Sequence, residues 1–186
     1  LAYNNSFSKT KQLAIYEPNF NALIDVGKWL KVESLVLHAR VEVPLPKKLP
    51  SVLRRLSIGG IISPTSNFSQ LFEFELHNPE KFIDVKLLGR IPILKLFVLQ
   101  VKSLVGLGYS EDLSQNLRNR RVEIHSFPQL TDFSPLNTVE TVVIDGCKYF
   151  QRPEDVCDVK CLHISYCKIS DINTEMKNEK LTITGP

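Results

Sequence analysis

An apolar-x-apolar pair recurs nine times along this chain at a nearly constant distance. The pairs are Leu13-Ala-Ile15, Leu35-Val-Leu37, Leu56-Ser-Ile58, Phe74-Glu-Leu76, Leu96-Phe-Val98, Val122-Glu-Ile124, Val142-Val-Ile144, Leu162-His-Ile164 and Leu181-Thr-Ile183. Their first members stand 22, 21, 18, 22, 26, 20, 20 and 19 residues apart. Three residues earlier, six of the nine positions are apolar: Val32, Leu53, Leu71, Ile93, Val139 and Val159. Alternation with period two marks a short strand with one buried face. Strands about 21 residues apart cannot close as tight hairpins, so they run parallel, each followed by a return segment. One repeat cannot bury its own apolar face, so successive repeats stack into a solenoid.

The cadence is clearest in Leu130-x-x-Phe133-x-x-Leu136-x-x-Val139-x-x-Val142-x-Ile144, and Cys167-Lys-Ile169-Ser-Asp-Ile172 repeats it. Here the chain resembles the leucine-rich repeat family in its short form of about 20–22 residues per repeat. The resemblance covers nearly the whole chain; it is strong for repeats starting near 32, 53, 139 and 159 and thinner between 71 and 121. It implies one domain over residues 1–186, a right-handed solenoid of about eight to nine coils. The class is α/β leaning to mostly β, with a parallel concave sheet and an irregular or short-helical convex side. The family places Asn, sometimes Cys, five residues after the first member of each pair, where it bonds the turn backbone. Here that slot holds Pro18, Arg40, Ile61, Pro79, Val101, Phe127, Cys147, Cys167 and Pro186, so only the two cysteines fit and irregular turns are expected.

Cys157, Cys161, His163 and Cys167 fall within eleven residues, a spacing that suggests zinc. The repeat register argues otherwise. Cys147 and Cys167 share one slot, which the resemblance turns inward. Cys161 and His163 lie on the opposite strand face, and Cys157 lies in a return segment. Side chains aimed at different sides of one coil do not converge on a tetrahedral metal. Buried or incidental unpaired thiols are expected, which favours a reducing compartment and a cytoplasmic location.

Most return segments are short and Pro-rich, as in VEVPLPKKLPS and RPEDV. Two read as helices. Residues 19–30 place Phe20, Leu23, Ile24 and Trp29 near one helical face, and 110–118 opens with Ser110 and carries Leu113 and Leu117 at i,i+4.

If the pairs point in, three rows point out on the sheet. The row before the pairs includes Arg55, Glu73, Lys95 and Arg121; the middle row includes Glu75, Phe97, Glu123 and His163; the next includes Tyr16, His38, Gly59, His77, Leu99 and His125. All four histidines fall on this face. Strand spacing sets His38, His77 and His125 roughly 10 Å or more apart, too far to share a metal. Phe97 and Leu99, ringed by Arg55, Glu73, Glu75, Lys95, Arg121 and Glu123, read as an apolar centre with a charged rim, the anatomy of a binding hot spot. A one-residue slip in the apolar run 91–99 would instead bury Phe97.

The net charge of +3 is small and mixed in sign, which disfavours nucleic-acid or membrane-surface steering. No apolar run reaches the roughly 18–20 residues of a membrane span. The chain begins without Met or a signal-like layout, so a piece of a longer protein is expected. The reading is a non-enzymatic scaffold that binds a protein partner through the concave sheet, with no catalytic residue, metal or cofactor. The binding residues are Arg55, Glu73, Glu75, His77, Lys95, Phe97, Leu99, Arg121, Glu123 and His125. The alternatives are a parallel β-helix enzyme acting on polysaccharide and a zinc-stabilised module at 147–167.

Overall fold

The structure is a computed structural model, and it describes residues 9–16, 31–38, 49–59, 68, 70–77, 88–97, 104, 119–169 and 176–185. Nine five-residue strands form one parallel sheet in chain order: β1 Gln12–Tyr16, β2 Ser34–His38, β3 Arg55–Gly59, β4 Glu73–His77, β5 Ile93–Phe97, β6 Arg121–His125, β7 Thr141–Asp145, β8 Cys161–Ser165 and β9 Lys180–Thr184. Every neighbouring pair is parallel and aligned residue for residue. Stacked coils of this kind make a β-solenoid. Helix among the described residues is almost absent: the 3₁₀ turns Ser134–Thr138 and Pro153–Val156 are its main pieces.

The second and fourth residues of each strand point into the solenoid. Leu35, Leu37, Leu56, Ile58, Phe74, Leu76, Val122, Ile124, Val142, Ile144, Leu162 and Ile164 are all buried. Each such side chain contributes about 1.5–3 kcal/mol when fully removed from water. The turns supply the opposite wall. Phe127, Leu130, Phe133, Leu136 and Val139 are buried at every third position. One coil later Cys147, Phe150, Val156 and Val159 do the same. The period of three follows from 3₁₀-type bonds, as in Leu136 N–H to Phe133 O, Val139 N–H to Leu136 O and Val159 N–H to Val156 O.

One residue past the strand, the chain turns through left-handed backbone at Ser126, Gly146 and Tyr166, with φ of 56°, 60° and 52°. That turn aims the next residue inward, which is why Phe127 and Cys147 are buried and Cys167 is partly so. Two residues before each strand an apolar side chain normally plugs the coil: Val32, Leu53, Leu71, Ile91, Val139 and Val159. Asn119 and Asn178 hold that place before β6 and β9. Their amides donate backward, Asn119 to Leu88 O and Ile91 O, Asn178 to Val156 O and Val159 O.

The strand expected around Leu96-Phe-Val98 is corrected. β5 pairs Leu94 with Phe74 and Leu96 with Leu76, so its inward pair is Leu94 and Leu96. The shift is two residues, so Phe97 stays on the open face. Ile91, not Ile93, fills the plug position. The helices expected at 19–30 and 110–118, and Leu99, lie outside the described residues.

Candidate functional site

The open face of the sheet consists of the first, third and fifth residue of each strand. Register assembles them into three rows. Arg55, Glu73 and Arg121 stand in the first row, Glu75, Lys95 and Glu123 in the second, and His77, Phe97 and His125 in the third. Lys95 and Phe97 therefore each sit one row beyond their expected places.

The first two rows form a charge network. Glu73 receives Lys95 Nζ at 2.8 Å and faces Arg55 Nε at 3.5 Å. Glu123 accepts from Arg121 Nε at 2.7 Å. The hydrogen bond it donates to Glu73 raises the Lys95 ammonium above its ordinary value. Glu123 falls to about 2: the His125 imidazole beside it is the largest cause and Arg121 adds to it, against the opposing effect of burial.

The third row is a ladder of rings. His77 stacks on Phe97 with centroids 4.4 Å apart, and Phe97 stacks on His125 at 4.3 Å. Their planes lie 5° and 9° from parallel. His38 meets His77 at 4.8 Å, and Tyr16 meets His38 edge-on at 5.6 Å. The expected separation of roughly 10 Å between His38 and His77 is thus corrected. Gly59 lies between them and has no side chain, so the rings lean together over it.

Hydrogen bonds fix each imidazole. His38 Nε2 meets Ser57 Oγ at 3.2 Å, and His77 Nε2 meets Glu75. His125 Nδ1 lies 3.2 Å from Asp145 Oδ2, while its Nε2 stands 3.5 Å from Glu123, an ion-pair distance. Asp145 in turn accepts from Ser165 Oγ. The neighbouring Glu123 carboxylate, helped by Asp145, raises His125 against its burial. Burial, then the charge of His77, lowers His38. For Asp145 burial pulls upward, but the bonds from Ser165 and His125 outweigh it and the carboxyl lies low.

Two residues of this ladder, Asp145 and Ser165, were not among the candidates. Their signal was their place in the third row beside His125. Beyond them the face has a shallow hollow bordered by Arg121, Thr141, Val143, Cys161, His163 and Lys180.

The cysteines diverge. Burial pushes the Cys147 thiol up to about 12, and burial also raises Cys167. Both sulfurs approach backbone carbonyls, Cys147 those of Asp145 and Ile124, Cys167 those of Ser165 and Ile144. Cys161 and His163 lie on the open face. No group of three or more His, Cys, Asp or Glu among the described residues is arranged to hold a metal ion. Nor is any helix among them long and apolar enough to cross a membrane.

No protein-family model, curated protein or solved structure matches the chain.

Proposed function

We propose that this chain is a leucine-rich-repeat-type solenoid, right-handed and short-helical on its convex side, that binds a protein partner through the open, concave face of its sheet. It works by recognition and not by catalysis, in a reducing, cytoplasmic setting. The observation that carries this reading is the preorganised face. Rings and charges on strands β1 to β8 are locked side to side by stacking and ion pairs. A partner meeting such a surface orders few side chains, which lowers the entropic cost of binding. The two thiols reaching strand-exit carbonyls support the family resemblance, because that slot in the family bonds the turn backbone. The polysaccharide enzyme would need unengaged carboxylates along a groove, and those of the central strands are engaged in ion pairs.

The test is affinity capture from native lysate with mass spectrometry, comparing wild type with a variant carrying Glu75→Lys, Phe97→Ala and Arg121→Glu. A partner lost only with the folded variant supports the reading. A partner held equally by both puts recognition elsewhere on the molecule.

A further inference from the structure

Two Arg-Arg pairs occupy the same position on two coils. Arg54-Arg55 opens β3 and Arg120-Arg121 opens β6. Between them, at the strand-start edge of the sheet, lie Phe72, Pro92 and Ile93. Phe72 is 48 % exposed, although it is a large apolar side chain. Arg54 and Arg120 are exposed. The side chains of Arg55 and Arg121 are 61 % and 47 % exposed, whereas their partners Glu73 and Glu123 are 21 % and 15 % exposed. The cations stand outermost, with the carboxylates beneath them.

Both inner arginines contact their carboxylates through Nε. Neither guanidinium is paired with a second carboxylate among the described residues. A guanidinium has five N–H donors in a planar fork, so one already touching a carboxylate through Nε still has donors for a second one. The acids nearby are engaged: Glu33 with Lys11, Glu73 with Arg55 and Lys95, Glu75 with His77, and Glu123 with Arg121 and His125. Glu140 is the exposed acid next along the edge, beyond Arg120. An incoming anion meets two exposed guanidinium groups, whereas an incoming cation must displace an existing ion pair.

We propose that this edge takes an extended acidic segment of a protein partner, one acidic side chain on each arginine pair and an apolar side chain over Phe72 and Pro92. The inference rests on the scaffold reading above and names the chemistry of the partner. Strands β3 and β6 are three spacings apart, about 14 Å. An extended peptide covers that distance in about four residues. The segment therefore reads acidic, x, apolar, x, acidic.

The probe is a fluorescein-labelled 12-residue peptide with the core Glu-Gly-Leu-Gly-Glu, measured by polarisation. Wild type binds it, and the affinity falls as salt rises. Arg55→Glu with Arg121→Glu weakens binding by about tenfold or more and confers affinity for the Lys-Gly-Leu-Gly-Lys peptide. Arg55→Lys with Arg121→Lys keeps the charge and the fold, and loses about threefold for want of the fork. Phe72→Ser weakens binding by about fivefold. No binding of the glutamate peptide, equal binding by the charge-reversed variant, or preference for a single-stranded oligonucleotide would overturn the proposal. A captured partner lost on Phe97→Ala but kept on Arg54→Glu with Arg120→Glu also removes it, while leaving the scaffold reading intact.

Discussion

His38 and His77 belong to strands separated by a third, and their rings are nonetheless 4.8 Å apart. The missing side chain of Gly59 makes this contact. A Cβ at that position would come within 3.3 Å of His38 Cγ, tighter than ordinary packing. Gly59→Ala is therefore expected to destabilise the fold by about 1–3 kcal/mol through overpacking. It also pushes the two rings apart. Thermal melting measures the first effect. An NMR titration of His38 measures the second, because a displaced His77 no longer depresses it. An unchanged melting temperature would mean that the His38 ring yields to the added methyl group and is not packed rigidly over Gly59.

Phe97 is sandwiched between His77 and His125. Each stacked contact is worth about 0.5–1.5 kcal/mol beyond burial. Phe97→Ala should cost about 2–3 kcal/mol in urea denaturation, and Phe97→Leu about half of that. Equal losses for both would mean that plain apolar area, not stacking, holds the residue.

The His125–Glu123 pair gives stability a pH window. Glu123 is lowered from 4.5 to about 2, so its contribution is complete above pH 4.5 and is lost as pH falls toward 2. His125 is raised above 6.5, so its contribution is complete below pH 6.5 and is lost as pH climbs past its folded value. His38 has the opposite sign: lowered from 6.5, it stabilises the fold above that pH and loses the effect on acidification. Glu123→Gln should flatten the acid limb of the stability profile by a loss on the order of 3 kcal/mol near neutrality. Urea midpoints across the pH range test this. An acid limb identical to wild type would mean that the pair does not form.

With its thiol pushed up to about 12, Cys147 should resist alkylation at pH 8 until the chain unfolds. Cys161, on the open face, should be labelled first. Differential alkylation read by mass spectrometry orders the sites. A chelator should leave the melting temperature unchanged; a clear fall would restore a metal module at 147–167.

The sequence carried the architecture well because burial repeats. Leu56 and Ile58, or Val122 and Ile124, have no apolar competitor one step away: Arg55 and Ser57, or Arg121, Glu123 and His125, flank them on the open face. The run 91–99 was ambiguous for the same reason. Both Leu94-Lys-Leu96 and Leu96-Phe-Val98 satisfy the pattern, each with an isoleucine three residues earlier. What separates them is the open face: the observed register sets Phe97 between two imidazoles and Lys95 beside Glu73 and Glu75. The His38–His77 contact escaped because backbone spacing ignores how far a ring leans over a glycine. Asn119 and Asn178 in a plug position that Val, Leu or Ile fills in six of the nine coils break the apolar pattern. Their role depends on carbonyls of the preceding coil, which no local pattern displays.

Eighteen residues carry the chain from Arg55 to Glu73, and twenty-eight from Ile93 to Arg121, yet both strand pairs align without offset. Length differences are absorbed between strands and never within them. The sheet thus behaves like a keyboard whose keys keep their spacing whatever the depth of the case behind. A further change in the number of residues between two strands would, on the same pattern, leave the ring ladder and the arginine pairs at their present separations.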